Sequence, residues 1–250
     1  MLGVGLALTS VGALGSRAFH PRQLPGLIAL YDISDLSSLF VERTGASATT
    51  PAQVGGVVGT VRDLSGNGHH LTAPSDAARP ILRTGSGFYW LESDGVDDYL
   101  RVTLGGIQFA SVALRELSGI PDFGTYLGVS GVVNGVHLSI DRNPQTNAIL
   151  YVAGQASGAQ YQYRVNHAGP FATGSANNIV PRVDDDRVYC VQHPMHPPSG
   201  TATFSVCGRP TNEALVPMRL YAAAYFSTAP AEIDIARLVN WMAARYGGES

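Results

Sequence analysis

Residues Tyr99 to Leu104 read Tyr-Leu-Arg-Val-Thr-Leu, which sets Leu100, Val102 and Leu104 on one face and Arg101 and Thr103 on the other. A period of two belongs to a β-strand with one face buried and the other wet. The same period runs through Thr201 to Val206, where Ala202, Phe204 and Val206 alternate with Thr201, Thr203 and Ser205. Glycine and proline, 29 and 15 residues in a chain of 250, are spread along its length, which suits many short segments joined by turns better than a few long helices. The chain is thereby constrained to antiparallel strands arranged as two sheets facing one core. A single large sandwich of this length is ordinary for an all-β protein.

Runs of strand character are expected at residues 27–31, 54–61, 99–104, 125–129, 136–140, 148–152, 161–165, 187–191, 201–206 and 219–226. In the last of them Leu220, Ala222, Ala224 and Phe226 are expected to line one face. The period then changes. Ile235, Leu238, Val239, Met242 and Tyr246 form a helical stripe that can lie against the sandwich. The helix is expected over about 230–246, with Ser227 or Thr228 as its cap, Pro230 in its first turn and Glu232 and Asp234 at its positive end.

Charged residues make up only 14% of the chain, the formal net charge is -3, and all 16 basic residues are Arg with no basic cluster. That removes the electrostatic footprint of a nucleic-acid partner. The neutral polar surface suits assembly and sugar contacts better. At the N-terminus, Leu2 to Leu14 is apolar, has no Arg or Lys before it, and is too short to span a bilayer. Neither membrane insertion nor a signal peptide is expected. We read residues 1–24 as an extended arm and hinge, with Leu2, Val4, Leu6 and Leu8 docking on a neighbouring subunit or partner, or folding back on their own domain. Residues 25–250 are then the sandwich with its helix, and a homo-oligomer is expected. Cys190 and Cys207 both fall in strand-like runs, as buried thiols or as a bridge between neighbouring strands.

Three separated stretches resemble one family. Asp63-Leu-Ser-Gly-Asn-Gly-His-His-Leu-Thr72, Asp94-Gly-Val-Asp-Asp-Tyr-Leu100 and the strand-to-helix end from Tyr225-Phe-Ser to Ala243-Ala-Arg-Tyr-Gly247 are similar to the laminin-G-like branch of concanavalin A-like lectin/glucanase domains. The resemblance implies an all-β, two-sheet antiparallel jelly-roll sandwich with a C-terminal α-helix. Where the family usually has Phe before Asp-Gly, this chain has Ser93. Physically, the glycines and Asn67 suit a sharp reversal, and Asp63 can bond the turn's amides. A glycine-alternating arm followed by such a sandwich resembles structural proteins of tailed phages and gene-transfer particles, so the expected location is a virion surface and the expected partners are other virion proteins and cell-surface polysaccharide.

Chemistry is sparse. Glu232-Ile-Asp-Ile-Ala236 partly matches the E-x-D-x-x-E strand of laminarinase-type relatives, but the third carboxylate is missing and acidic residues suit a helix start. Asp94, Asp97 and Asp98 are weak calcium candidates, short of the six or more oxygens such a cation takes. Otherwise no cofactor is expected. Asp184 to Asp186 reads as a solvated turn, and His193 and His196 fall short of a zinc set. Tyr161 and Tyr163 share one strand face and Arg164 lies on the other with Gln160 and Gln162; Tyr161, Tyr163 and Arg164 are the candidate sugar contacts. Trp241, one turn from Arg237 and Arg245, is either shielded by a cation–π stack or a subunit contact. No catalytic residue is assigned. The expectation is a non-enzymatic spike, fibre, tail appendage or decoration protein, with a secreted carbohydrate-binding module as the second reading and a glycoside hydrolase relative as the third.

Overall fold

A computed structural model describes residues 18–117, 124–130, 140–143, 148–150, 161–173, 180–181, 185–192, 200–209 and 215–247. The arm candidates Leu2, Val4, Leu6 and Leu8, together with Asp184, His193 and His196, lie outside them. In chain order the strands are β1 (Leu27–Asp32), β2 (Leu39–Phe40), β3 (Thr60–Val61), β4 (Leu71–Thr72), β5 (Ile81–Gly85), β6 (Phe88–Asp94), β7 (Leu100–Gly105), β8 (Phe109–Glu116) and β9 (Gly124–Ser130). There follow β10 (Ile140–Asn143), β11 (Ala148–Leu150), β12 (Tyr161–Val165), β13 (Ala168–Thr173), β14 (Val180–Pro181), β15 (Arg187–Gln192), β16 (Thr201–Val206), β17 (Pro217–Phe226) and the helix α1 (Glu232–Ala243).

Two antiparallel sheets result. One has the order β13-β12-β15-β8-β17-β6-β5, with β1 also paired to β17; the other runs β14-β11-β10-β9-β16-β7-β4-β3-β2. Between them lies a core that includes Tyr31, Leu100, Val102, Leu104, Val112, Tyr126, Phe204, Leu220 and Tyr225. The expected faces of β7 are found: Leu100, Val102 and Leu104 point inward while Arg101 and Thr103 are exposed. In β16 Phe204 and Val206 point inward, but Ser205 on the opposite face is buried too, its hydroxyl donating to Gly208 O.

The expectation of a single core is corrected. A second apolar layer, with Phe109, Ala113, Val188, Cys190, Ala222, Ala224 and Phe226 on the sheet and Ile235, Leu238, Val239 and Met242 on α1, fills the outer face of the first sheet. Strand β8 therefore has Ala110, Val112 and Leu114 in one layer and Phe109 and Ala113 in the other. Covered on both sides, it has no apolar–polar alternation to betray it. In β17 the register shifts between Leu220 and Ala222. Leu220 thus faces the other sheet while Ala222, Ala224 and Phe226 face the helix, not the one shared face expected.

Local chemistry explains the other departures. The helix starts from Ala231 without a side-chain cap; Ser227 Oγ instead donates to the Gly26 carbonyl. Residues 54–61 form strand only at Thr60–Val61, because the chain turns near Gly55 at φ +84 and then bonds the edge of β5 through Gly55 N to Leu82 O and Val58 N to Pro80 O. The Asp63 turn forms as expected: Asp63 Oδ1 accepts from Leu30 N and Ser65 N, Oδ2 accepts from His69 N, and Asn67 Nδ2 donates to Leu27 O and Ile28 O. Both cysteines are free and buried, one in each layer, which removes the bridge. Burial pushes the Cys190 thiol up to about 11 and the Cys207 thiol up to about 12.

Candidate functional site

Helix α1 covers only part of the outer face of its sheet. Where the chain leaves it, Tyr246 packs against Tyr221 with ring centroids 5.4 Å apart, and beyond that contact the face is polar. Strand alternation puts Trp90, Glu92 and Asp94 of β6 on the outer side, because Leu91 faces the other sheet and Trp90 lies in the helix-side layer. On β17 Arg219 stands directly opposite Glu92 on one side and Arg115 of β8 on the other. On β5 Arg83 stands opposite Trp90.

These side chains hold one another. Arg83 Nε donates to Glu92 Oε1 at 3.2 Å and Trp90 Nε1 to Glu92 Oε2 at 3.2 Å. The Arg219 guanidinium lies over the Trp90 ring, 4.4 Å from its centroid. Tyr221 donates its hydroxyl to Asp186 Oδ1 at 2.6 Å, and Arg115 Nη1 approaches Asp186 Oδ2 at 3.6 Å. Burial, then the hydrogen bond to Asp186, holds the Tyr221 hydroxyl well above the usual phenol range, so it stays a donor. Trp90 and Tyr221 form a nearly buried aromatic floor, while the charged side chains above it keep between 23% and 43% of their surface exposed. Guanidinium donors and carboxylate acceptors fixed in such a row can meet the paired hydroxyls of a sugar ring without first being ordered.

At one end of the row β6 runs into the acidic turn. Asp94 Oδ1 accepts from Val96 N and Asp97 N, and Asp98 Oδ2 accepts from Asp94 N at 3.1 Å. One carboxylate oxygen from each of Asp94, Asp97 and Asp98 lies within 4.8 Å of the others. Gly95 sits at φ +75, and a Cβ there would come within 2.5 Å of Pro217 Cδ, so glycine is required. The buried Ser93 hydroxyl donates to Val216 O and accepts from Met218 N, tying β6 to the start of β17. Burial, reinforced by the negative charges of Asp94 and Asp97, pushes the Asp98 carboxyl up to about 7. The donor set fits a calcium ion poorly: three carboxylates come from one turn, and Asp94 and Asp98 already accept backbone N–H groups. Protonation of Asp98, which its burial favours, lowers the charge of the cluster without a cation.

Of the candidates read from the sequence, Arg164 is an internal residue: only 7% exposed, it pairs with Glu232 at the helix start. Tyr161 and Tyr163 lie on β12, but their side chains are outside the described residues. Trp241, 8% exposed, has the Arg245 guanidinium 3.7 Å from its ring and the His20 ring edge-on at 5.6 Å. Its own chain shields it, the stacking alternative of the two. Asp234 accepts from Arg237, so both acids of the Glu232 stretch serve the helix start. Asp186, expected in a solvated turn, belongs to the polar row instead. Arg83, Glu92, Arg115 and Arg219 carry little local sequence signal; the aromatic run Phe88-Tyr-Trp90 beside Glu92 is what could mark them.

No family model matches the chain, and no curated protein does. Among solved structures it resembles the Trypanosoma rangeli sialidase in complex with 2,3-difluorosialic acid, a covalent intermediate, at a TM-score of 0.50 and 11% identity, over 90% of this chain and 34% of that one. A second structure of Trypanosoma rangeli sialidase is similar at a TM-score of 0.45 and 11% identity, over the same shares. The chain spans about a third of the length of these structures. The likeness is one of fold. It overturns the expectation of a non-enzymatic chain, since this sandwich occurs within sialidases, which are enzymes.

Proposed function

We propose that this chain is a carbohydrate-recognition sandwich whose sugar-binding face is the bare end of the helix-bearing sheet. The observation that carries the reading is the row Arg83, Glu92, Arg219, Arg115 and Asp186, which crosses four adjacent strands and the turn into a fifth over an aromatic floor. The fold shared with sialidases supports a sugar ligand by analogy. The laminin-G-like resemblance of residues 63–72 and 94–100 supports a jelly-roll form of the sandwich. The particle-surface setting, with residues 1–24 as arm and hinge, rests on the sequence resemblance.

The test is an oligosaccharide array probed with the full chain and with a Glu92→Ala, Arg115→Ala double variant. We expect a defined subset of glycans to be bound and at least tenfold weaker binding by the variant. Unchanged binding would move the site elsewhere, and an array with no bound glycan would end the reading. The same incubations, assayed for released sugar, show whether recognition is coupled to hydrolysis.

A further inference from the structure

The middle of the row is unbalanced. Arg219 faces Arg115 directly across the β17–β8 pair, and like charges in that position repel. Its Nε is buried and has no hydrogen-bond partner. The carboxylates that could relieve it are engaged: Glu92 by Arg83 and Trp90, Asp186 by Tyr221 and Arg115, and Asp94 by the amides of its own turn. The guanidinium is nonetheless held in place by the Trp90 ring beneath it. A planar cation fixed on a ring, beside a second cation whose acidic partner Asp186 is 3.6 Å away, is preorganised for an anion with two oxygens in a plane.

We propose that this site selects acidic saccharides, with the sugar carboxylate seated between Arg219 and Arg115 and neighbouring hydroxyls on Glu92 and Arg83. The inference rests on the saccharide reading above and narrows it to a ligand class. The charge of the carboxylate relieves the repulsion between the two arginines. Arg83 and Glu92 neutralise each other, so they contribute orientation and not charge selectivity.

The test uses the full chain with trigalacturonate and with its fully methyl-esterified form, which differ in the carboxylates. Calorimetric titration should show trigalacturonate bound at least tenfold more tightly than the ester, with the difference shrinking as salt is raised. Arg219→Gln should bring the acid down to the affinity of the ester, and Arg115→Gln, at a more exposed position, should do so in part. Thermal unfolding of each variant checks that the fold is kept. If acid and ester bind equally, or if both variants keep the preference, the inference falls while the saccharide reading stands. If neither trisaccharide binds and the array is also blank, both fall together.

Discussion

Strands β8 and β17 each pass through two environments. Toward one end, Phe109, Ala113, Ala222, Ala224 and Phe226 lie beneath α1; toward the other, Arg115 and Arg219 stand on the same outer side, paired across the strands and half-buried. The difference follows from how the helix lies. Glu232 at its start pairs with Arg164 of β12 and Arg245 just past its end with Asp32 of β1, so it crosses the strands and covers a band of each, not their whole length. Apolar residues persist as far as the helix does, and polar ones take over past Tyr246. The covered end should therefore carry stability and the bare end recognition.

The sharpest way to break that division is Leu238→Ala, which removes a fully buried side chain between helix and sheet. A loss of roughly 2–5 kcal/mol is expected, read from the urea midpoint; an unmoved midpoint would mean the helix is an accessory. Next comes Glu232→Ala, which takes the carboxylate away from the buried Arg164 guanidinium. We expect a loss of about 1.5–3 kcal/mol, the range for a hydrogen bond to a charged group.

A third effect depends on pH. The Asp98 carboxyl is raised to about 7 in the folded chain from an ordinary value of 3.8, so the folded state holds its proton over a range in which the unfolded state has released it. Stability is then undiminished below about pH 4, declines as the pH rises through the interval to about 7, and levels off above it. Urea unfolding at pH 4 and pH 8 should show the decline, and Asp98→Asn should flatten it. The smallest effect is expected at the bare end. Arg83→Ala removes a pair that is well exposed and should change stability by less than about 1 kcal/mol, while weakening glycan binding. A large loss of stability there would mean that the row is structural.

What could be read from the sequence divides along the same line. The strands around Leu100 to Leu104 and Thr201 to Val206 alternate because one face of their sheet is wet, and the helix stripe from Ile235 to Met242 has its own period. The Asp63 turn and the clustering of Asp94, Asp97 and Asp98 are local, so spacing alone conveyed them. Strand β8 was invisible because two apolar layers cover it, and β6 because its aromatic run shows no alternation. The polar row escaped for another reason: residues 83, 92, 115, 186 and 219 become neighbours only through the strand order of one sheet. Arg164 and Trp241 misled as candidates because a charged or aromatic residue beside a helix can be spent on fastening that helix.

The register shift in β17 has a consequence for how the layers are coupled. Tyr221 is the extra residue, inserted where the strand's second neighbour changes from β6 to β1. It acts as a phase slip between two halves of one strand, since everything after it is offset by one position relative to everything before. Pairing the strand without the bulge, with Tyr221 kept in regular alternation, would invert the later half, sending Ala223 and Tyr225 toward the helix and Ala222, Ala224 and Phe226 toward the opposite sheet. The contents of both layers are thus set by a single count of residues, and neither layer can be re-registered without the other.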